Sequence, residues 1–157
     1  MYKNIFLDAN ILLDYSDKNR IFHEVSSKCI EYCLKQNLNL FTSCDLITTI
    51  YYVVSKQDKV KALEEVQRIN NFCHVVEFSN ADINQTCNLM IENSNYKDLE
   101  DTMQYILAKK SQCSLIVSND ENFVSESIRL ISSSDFCSEF LSCESLNQLN
   151  LVQKTKV

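Results

Sequence analysis

Five short apolar runs set the limits on what this chain can fold into: KNIFL (3–7), LNLFT (38–42), CHVVEF (73–78), SLIVS (114–118) and IRLIS (128–132). Each has the length of a strand, and SLIVS is apolar enough to be buried on both faces. The segments between them carry helical spacing instead. Phe22, Val25, Cys29 and Cys33 mark a helix over 21–34, and CDLITTIYYVVSK one over 44–56 despite its β-branched residues. Leu63, Val66 and Ile69 mark 58–70. Ile83, Cys87, Met90 and Ile91 mark 80–92. Leu99, Met103, Ile106 and Leu107 mark 98–110. A small helix from Ser134 to Leu141 follows the last strand. Strands alternating with helices predict an α/β fold, three layers (α/β/α) around a central parallel sheet of four to five strands. No linker or repeat interrupts 1–146, which is expected to be a single domain, and 147–157 is a polar tail.

The 157 residues include neither glycine nor proline. Turns must rest on Asn, Asp and Ser. Every glycine-dependent device is excluded, from the P-loop to the dinucleotide fingerprint and the GxSxG elbow. The eight cysteines, at 29, 33, 44, 73, 87, 113, 137 and 143, form no CxxC pair, and only two histidines accompany them. They are expected to be small core residues in a reducing cytoplasm rather than disulfides or zinc ligands. No apolar run is long enough to span a membrane or to act as a signal peptide. A net charge of −6 argues against a broad, sequence-independent grip on nucleic acid.

The acids fall at particular places. In a parallel sheet the carboxyl ends of the strands and the starts of the following helices share one edge, where ligands bind. Asp8 ends the first strand, and Ala9-Asn10 offers it no obvious local use. Asp120 ends the fourth strand. Asp98, Glu100 and Asp101 open the helix that leads into that strand. Topology gathers Asp8, Asp98, Asp101 and Asp120 at one edge, where they repel one another unless a cation intervenes. Oxygen ligands without His or Cys suit Mg²⁺ or Mn²⁺ and phosphodiester chemistry. Each acid also has a plainer reading: Asp98 as a helix N-cap with Asp101 in the first turn, and Asp120 as a turn residue. Asp14, Asp17, Glu64 and Glu65 are read as solvated surface acids. Lys56, Lys59 and Lys61, and Lys109 with Lys110, are read as solvated faces rather than an RNA-binding surface.

FLDANILLDY resembles the first motif of the PIN-domain family, the nuclease fold of VapC-type toxins. YKDLEDTMQY resembles its third acidic motif, and LIVSNDENF its fourth. SCDLITTIYYVVSK resembles the motif-two helix of a subgroup with IYY at this place. The similarity runs over residues 3 to 142. The resemblance implies a PIN-like fold and a metal-dependent endoribonuclease acting on RNA. It maps Asp8, Asp101 and Asp120 onto Mg²⁺- or Mn²⁺-binding acids, and Asp98 onto an extra acid that orients water. It further implies a small antitoxin partner and a homodimer, the latter favoured also by the apolar run IYYVV (50–54). The family's second acid corresponds to Thr49; Asp45, one turn earlier on the same helix face, is weighed as a partial substitute for it and read by preference as a helix cap.

The missing acid supports a second reading, a PIN fold weakened in catalysis that still binds RNA or protein. A phosphatase of the haloacid-dehalogenase type is disfavoured, because that chemistry needs a D-x-D after the first strand and the chain has Asp8-Ala9-Asn10.

Overall fold

The computed structural model describes residues 2–141. Five parallel strands, β1 (Asn4–Leu7), β2 (Asn39–Ser43), β3 (Cys73–Val76), β4 (Leu115–Val117) and β5 (Arg129–Ile131), pair in the order β3-β2-β1-β4-β5. Phe6 pairs with Phe41 on one side and with Ile116 on the other. The helices are α1 (Ala9–Ser16), α2 (His23–Lys35), α3 (Cys44–Ser55), α4 (Lys59–Phe72), α5 (Asn80–Glu92), α6 (Leu99–Lys110) and α7 (Ser133–Phe136). A π-helical stretch, Cys137–Leu141, continues α7. The tail expected from residue 147 and Cys143 lie outside the described residues.

Strand alternation divides the core into two layers. Ile5, Leu7, Leu40, Leu115 and Val117 face one side, where Ile11 and Leu12 of α1, Cys29, Ile30 and Cys33 of α2, Ile50 of α3 and Phe136 of α7 cover them. Phe6 and Ile116 face the other, covered by Met103, Ile106 and Leu107 of α6 and by Leu89 and Met90 of α5. The period-two alternation of strand side chains puts neighbours such as Phe6 and Leu7 in different layers. The seven cysteines among the described residues are free. Burial pushes the Cys73 and Cys113 thiols up to about 12, so they behave as small apolar residues.

Three expectations need correction. The run after Asp8 folds as helix α1, which its unbroken apolar stretch concealed. On α5 the inward stripe is turned by one residue: Asp82 and Thr86 are buried, while Ile83, Cys87 and Ile91 face outward, Ile91 being 82% exposed. Asp82 is drawn in because it closes a capping box with Ser79 and binds Lys110 Nζ at 2.8 Å, tying α5 to α6. Phe22, Leu63 and Leu99 are also exposed, because Ser26, Ala62 and Met103 occupy the inward positions beside them.

Candidate metal centre

The chain runs from β1 outward to β2 and β3, then returns to the other side of β1 for β4 and β5. The connection reverses between β1 and β4, and a crevice opens at their carboxyl ends. Asp8 stands there, immediately after β1 and 5% exposed. Its backbone N–H donates to Val117 O on β4 at 3.1 Å. Contrary to the sequence reading, Asp8 also has a local structural role. It is the N-cap of α1, its Oδ1 accepting from Ala9 N. Oδ2 accepts from Ser118 Oγ at 2.6 Å and from the Asn10 amide. Burial nevertheless holds the Asp8 carboxyl above its ordinary range against the pull of its hydrogen bonds, and the charge of Asp120 adds a smaller push in the same direction.

The other acids arrive on α3, α6 and the loop after β4. Asp98 is the N-cap of α6, its side chain accepting from Asp101 N at 3.0 Å. Asp120 accepts from Asn122 N at 2.8 Å, while its own N–H donates to Ser118 Oγ at 3.0 Å. The plain capping and turn roles are therefore real, and the same residues sit at the crevice. Asp101 is held up to about 7, first by burial and then by Asp8, Asp98, Asp120 and Glu100. Glu100 is raised by burial and by Asp45, Asp8 and Asp98. All four predicted site residues thus share one electrostatic field.

Glu100 extends this group beyond the sequence reading, and Asp45, weighed there as a substitute for the missing acid, joins it. The N-cap position of α3 is held by Ser43, and Asp45 sits in the first turn with its Oδ1 buried and without a partner among the described residues. It lines a hollow of about 520 Å³ with Asp98 and Glu100, floored by Phe78, Ile83, Leu99 and Met103. Asp45 is therefore not the helix cap it resembles. Its only sequence signal was a position one turn before Thr49, and Glu100 was masked by the stronger acids on either side. Thr49 itself is half-buried.

Asp14 also departs from expectation. Far from solvated, it is 2% exposed and joins Arg20 Nε at 2.6 Å. Its Oδ2 accepts from Asn119 Nδ2 at 3.0 Å and from Ser26 Oγ at 3.4 Å. Asn119 N donates to Asn10 Oδ1 at 3.1 Å, and Asn119 Oδ1 accepts from Ser133 N and Oγ at 3.0 and 2.9 Å. A continuous polar network therefore braces Asp8 through Asn10 and Ser118, and ends on the pair of buried Asp14 with half-exposed Arg20. Asp14, preceded by Leu12 and Leu13, carried a burial signal that only recognition of α1 would have exposed.

Among the described residues, no three His, Cys, Asp or Glu side chains are arranged so as to enclose an ion. The donor chemistry fits one all the same. The side chains offer oxygens only, they raise one another's proton affinity, and Asp45 Oδ1 is orphaned at the rim. A hard divalent cation answers all three conditions. Lys110 and Lys109 do not face this edge as free charges: Lys110 binds Asp82, and Lys109 lies over the Tyr105 ring.

Known proteins share this fold. The family model described as PIN domain matches residues 4–122. Ribonuclease VapC1 of Aquifex aeolicus (strain VF5) is 42% identical over 135 residues, covering 86% of this chain and 94% of the relative. VapBC2 from Rickettsia felis, solved bound to a DNA fragment from its promoter, superposes with a TM-score of 0.66 at 17% identity, over 82% of this chain and 98% of that one. VapC20 of Mycobacterium tuberculosis, described as a Sarcin-Ricin loop cleaving toxin, gives 0.63 at 10% identity, over 76% and 92%.

Proposed function

The chain belongs to the PIN domain family, and from that premise we propose that it is a metal-dependent endoribonuclease, the toxin of a toxin–antitoxin pair. The observation that carries the metal site is the Asp101 carboxyl, pushed up to about 7 by burial and by four neighbouring acids. Such a cluster is costly without a cation and favourable with one. Asp8, Asp101 and Asp120 would hold Mg²⁺ or Mn²⁺. Bound there, the ion supplies the positive charge that phosphodiester hydrolysis needs in its transition state. The chain's own part is to fix the carboxylates. Ser118 and Asn10 orient Asp8, Ser118 also anchors the Asp120 backbone, and Asp98 sets the first turn of α6 beneath Asp101. Asp98 is left to orient water at the same edge.

The partners follow from the relatives. RNA is the substrate, by likeness to the ribonuclease from Aquifex, and a small antitoxin is the protein partner, by likeness to the VapBC assembly. A homodimer is supported by the apolar surface of the α3–α4 pair, where Tyr52 is 64% and Val60 66% exposed. Residues 1–146 act as one domain. The site of action is the cytoplasm; among the described residues no helix is long and apolar enough to cross a membrane.

Thr49 favours a second reading, a fold weakened in catalysis that still binds RNA or a protein. Incubation of a mixed-sequence RNA with the protein and Mn²⁺, with and without EDTA, separates the two. Cleavage that EDTA and Asp8→Asn both abolish supports the nuclease. RNA binding without cleavage at any cation concentration supports the weakened fold.

A further inference from the structure

Gln104 is 0% exposed, and neither its Nε2 nor its Oε1 has a hydrogen-bond partner. A buried amide left unpaired is destabilising, so it calls for an explanation. Its surroundings are specific. Gln104 lies three residues after Asp101 on α6, on the same side of the helix. Its amide lies beside Asp8 without closing a hydrogen bond to it. The Ser43 hydroxyl is also fully buried and unpartnered. Ser43 occupies the N-cap position of α3 but makes no capping bond. Phe6 and Phe41 are paired across β1 and β2, so Asp8 and Ser43, two residues beyond each, share a sheet face. That face is the one α6 covers, as Phe6 and its α6 neighbours show. Two orphaned polar side chains, Gln104 of α6 and Ser43 beyond Phe41, therefore belong to the layer in which Asp8 sits.

We propose that Gln104 is a positioning residue for Asp8, its Nε2 donating to the Asp8 carboxylate when a cation is held and its Oε1 left, with Ser43 Oγ, as neutral oxygen facing the site. An ionised carboxylate only accepts, so the amide must turn its nitrogen toward Asp8. Asp8 has the capacity to receive it, since among the described residues Oδ1 accepts from Ala9 N alone. Thr49 leaves α3 without the second acid, and a fixed orientation of the remaining carboxylates matters more when there are fewer of them. Partners that orient metal-binding side chains typically change metal affinity by about 10–100-fold.

The inference rests on the metal-centre reading, and the test separates the two. Mn²⁺ binding is measured by calorimetry on the full chain for wild type, Asp8→Asn, Gln104→Met and Gln104→Asn, with melting temperatures in EDTA. Gln104→Met keeps the volume and removes the orphaned amide. It is expected to melt in EDTA at or above wild type and to bind Mn²⁺ about tenfold more weakly. Gln104→Asn retracts the amide by one methylene and is expected to weaken binding as well. Mn²⁺ binding lost in Asp8→Asn but within twofold of wild type in both Gln104 variants overturns the proposal and leaves the metal centre standing. Wild type that binds no Mn²⁺ overturns both. Failure of both Gln104 variants to fold in EDTA makes the amide a core requirement and also overturns it.

Discussion

Asp14 is a buried carboxylate and Asp101 a half-buried one, and their surroundings act on them in opposite ways. Asp14 has Arg20, Asn119 and Ser26 around it, so its charge is matched inside the fold. Asp14→Ala strands the Asn119 amide and frees Arg20. It is expected to lower stability by about 3 kcal/mol, read as a shift in the urea midpoint with unchanged slope. A shift below about 1 kcal/mol would mean the network is loose. The charges that act on Asp101 among the described residues are all acids. Its folded carboxyl titrates about 7, against 3.8 without the fold. Between those values the folded state binds the extra proton, so this contribution to stability is present at low pH and lost as pH rises toward 7. In EDTA the protein should therefore melt higher near pH 5 than near pH 8, by about 1 kcal/mol once solvent screening is allowed for. Asp101→Asn should flatten that slope and Mn²⁺ should reverse it. A wild-type slope unchanged in Asp101→Asn would place the titration elsewhere. The placement of Asp8, Asp98, Asp101 and Asp120 at one edge was legible in the sequence because strand ends and helix starts fix their positions without side-chain detail. The environment of Asp14 was not, since it depends on Arg20, Ser26 and Asn119 meeting from three separate segments.

At the scale of the element, α3 is where the chain departs from its family's pattern. Thr49 brings a hydroxyl where the resemblance implies an acid, and Asp45, one turn earlier, stands in the field of Glu100. A neutral oxygen cannot offset cationic charge, so the wild type is expected to need high Mg²⁺ or to prefer Mn²⁺. Thr49→Glu should raise the cleavage rate at low Mg²⁺ by about tenfold or more. A wild type already fast at low Mg²⁺, with Thr49→Glu no faster, would make Asp45 the acid that serves. The helices were mostly visible as periodicity, with two instructive failures. Helix α1 was hidden because IFLDANILLD holds apolar residues on both sides of Asp8, and only the capping bond to Ala9 divides strand from helix. On α5 the apolar stripe Ile83, Cys87 and Ile91 suggested the wrong face, because the Asp82–Lys110 pair and the capping box overrule it.

Over the whole molecule, the parallel sheet was legible from strand length and spacing alone, and the strand order β3-β2-β1-β4-β5 puts the crevice where the acids converge. The exposed Tyr52, Val60 and Leu63 on α3 and α4 are expected to lie in a homodimer interface. Sedimentation at micromolar concentration should show a dimer that Tyr52→Glu with Leu63→Glu converts to monomer, and a wild type that sediments only as monomer would contradict this. The central claim concerns the cation, and the most direct measurement is an anomalous difference map from crystals soaked in Mn²⁺. A peak among Asp8, Asp101 and Asp120, absent in Asp101→Asn crystals, is the predicted result. A map with no peak at that edge, or one whose peak survives in Asp101→Asn, would contradict it.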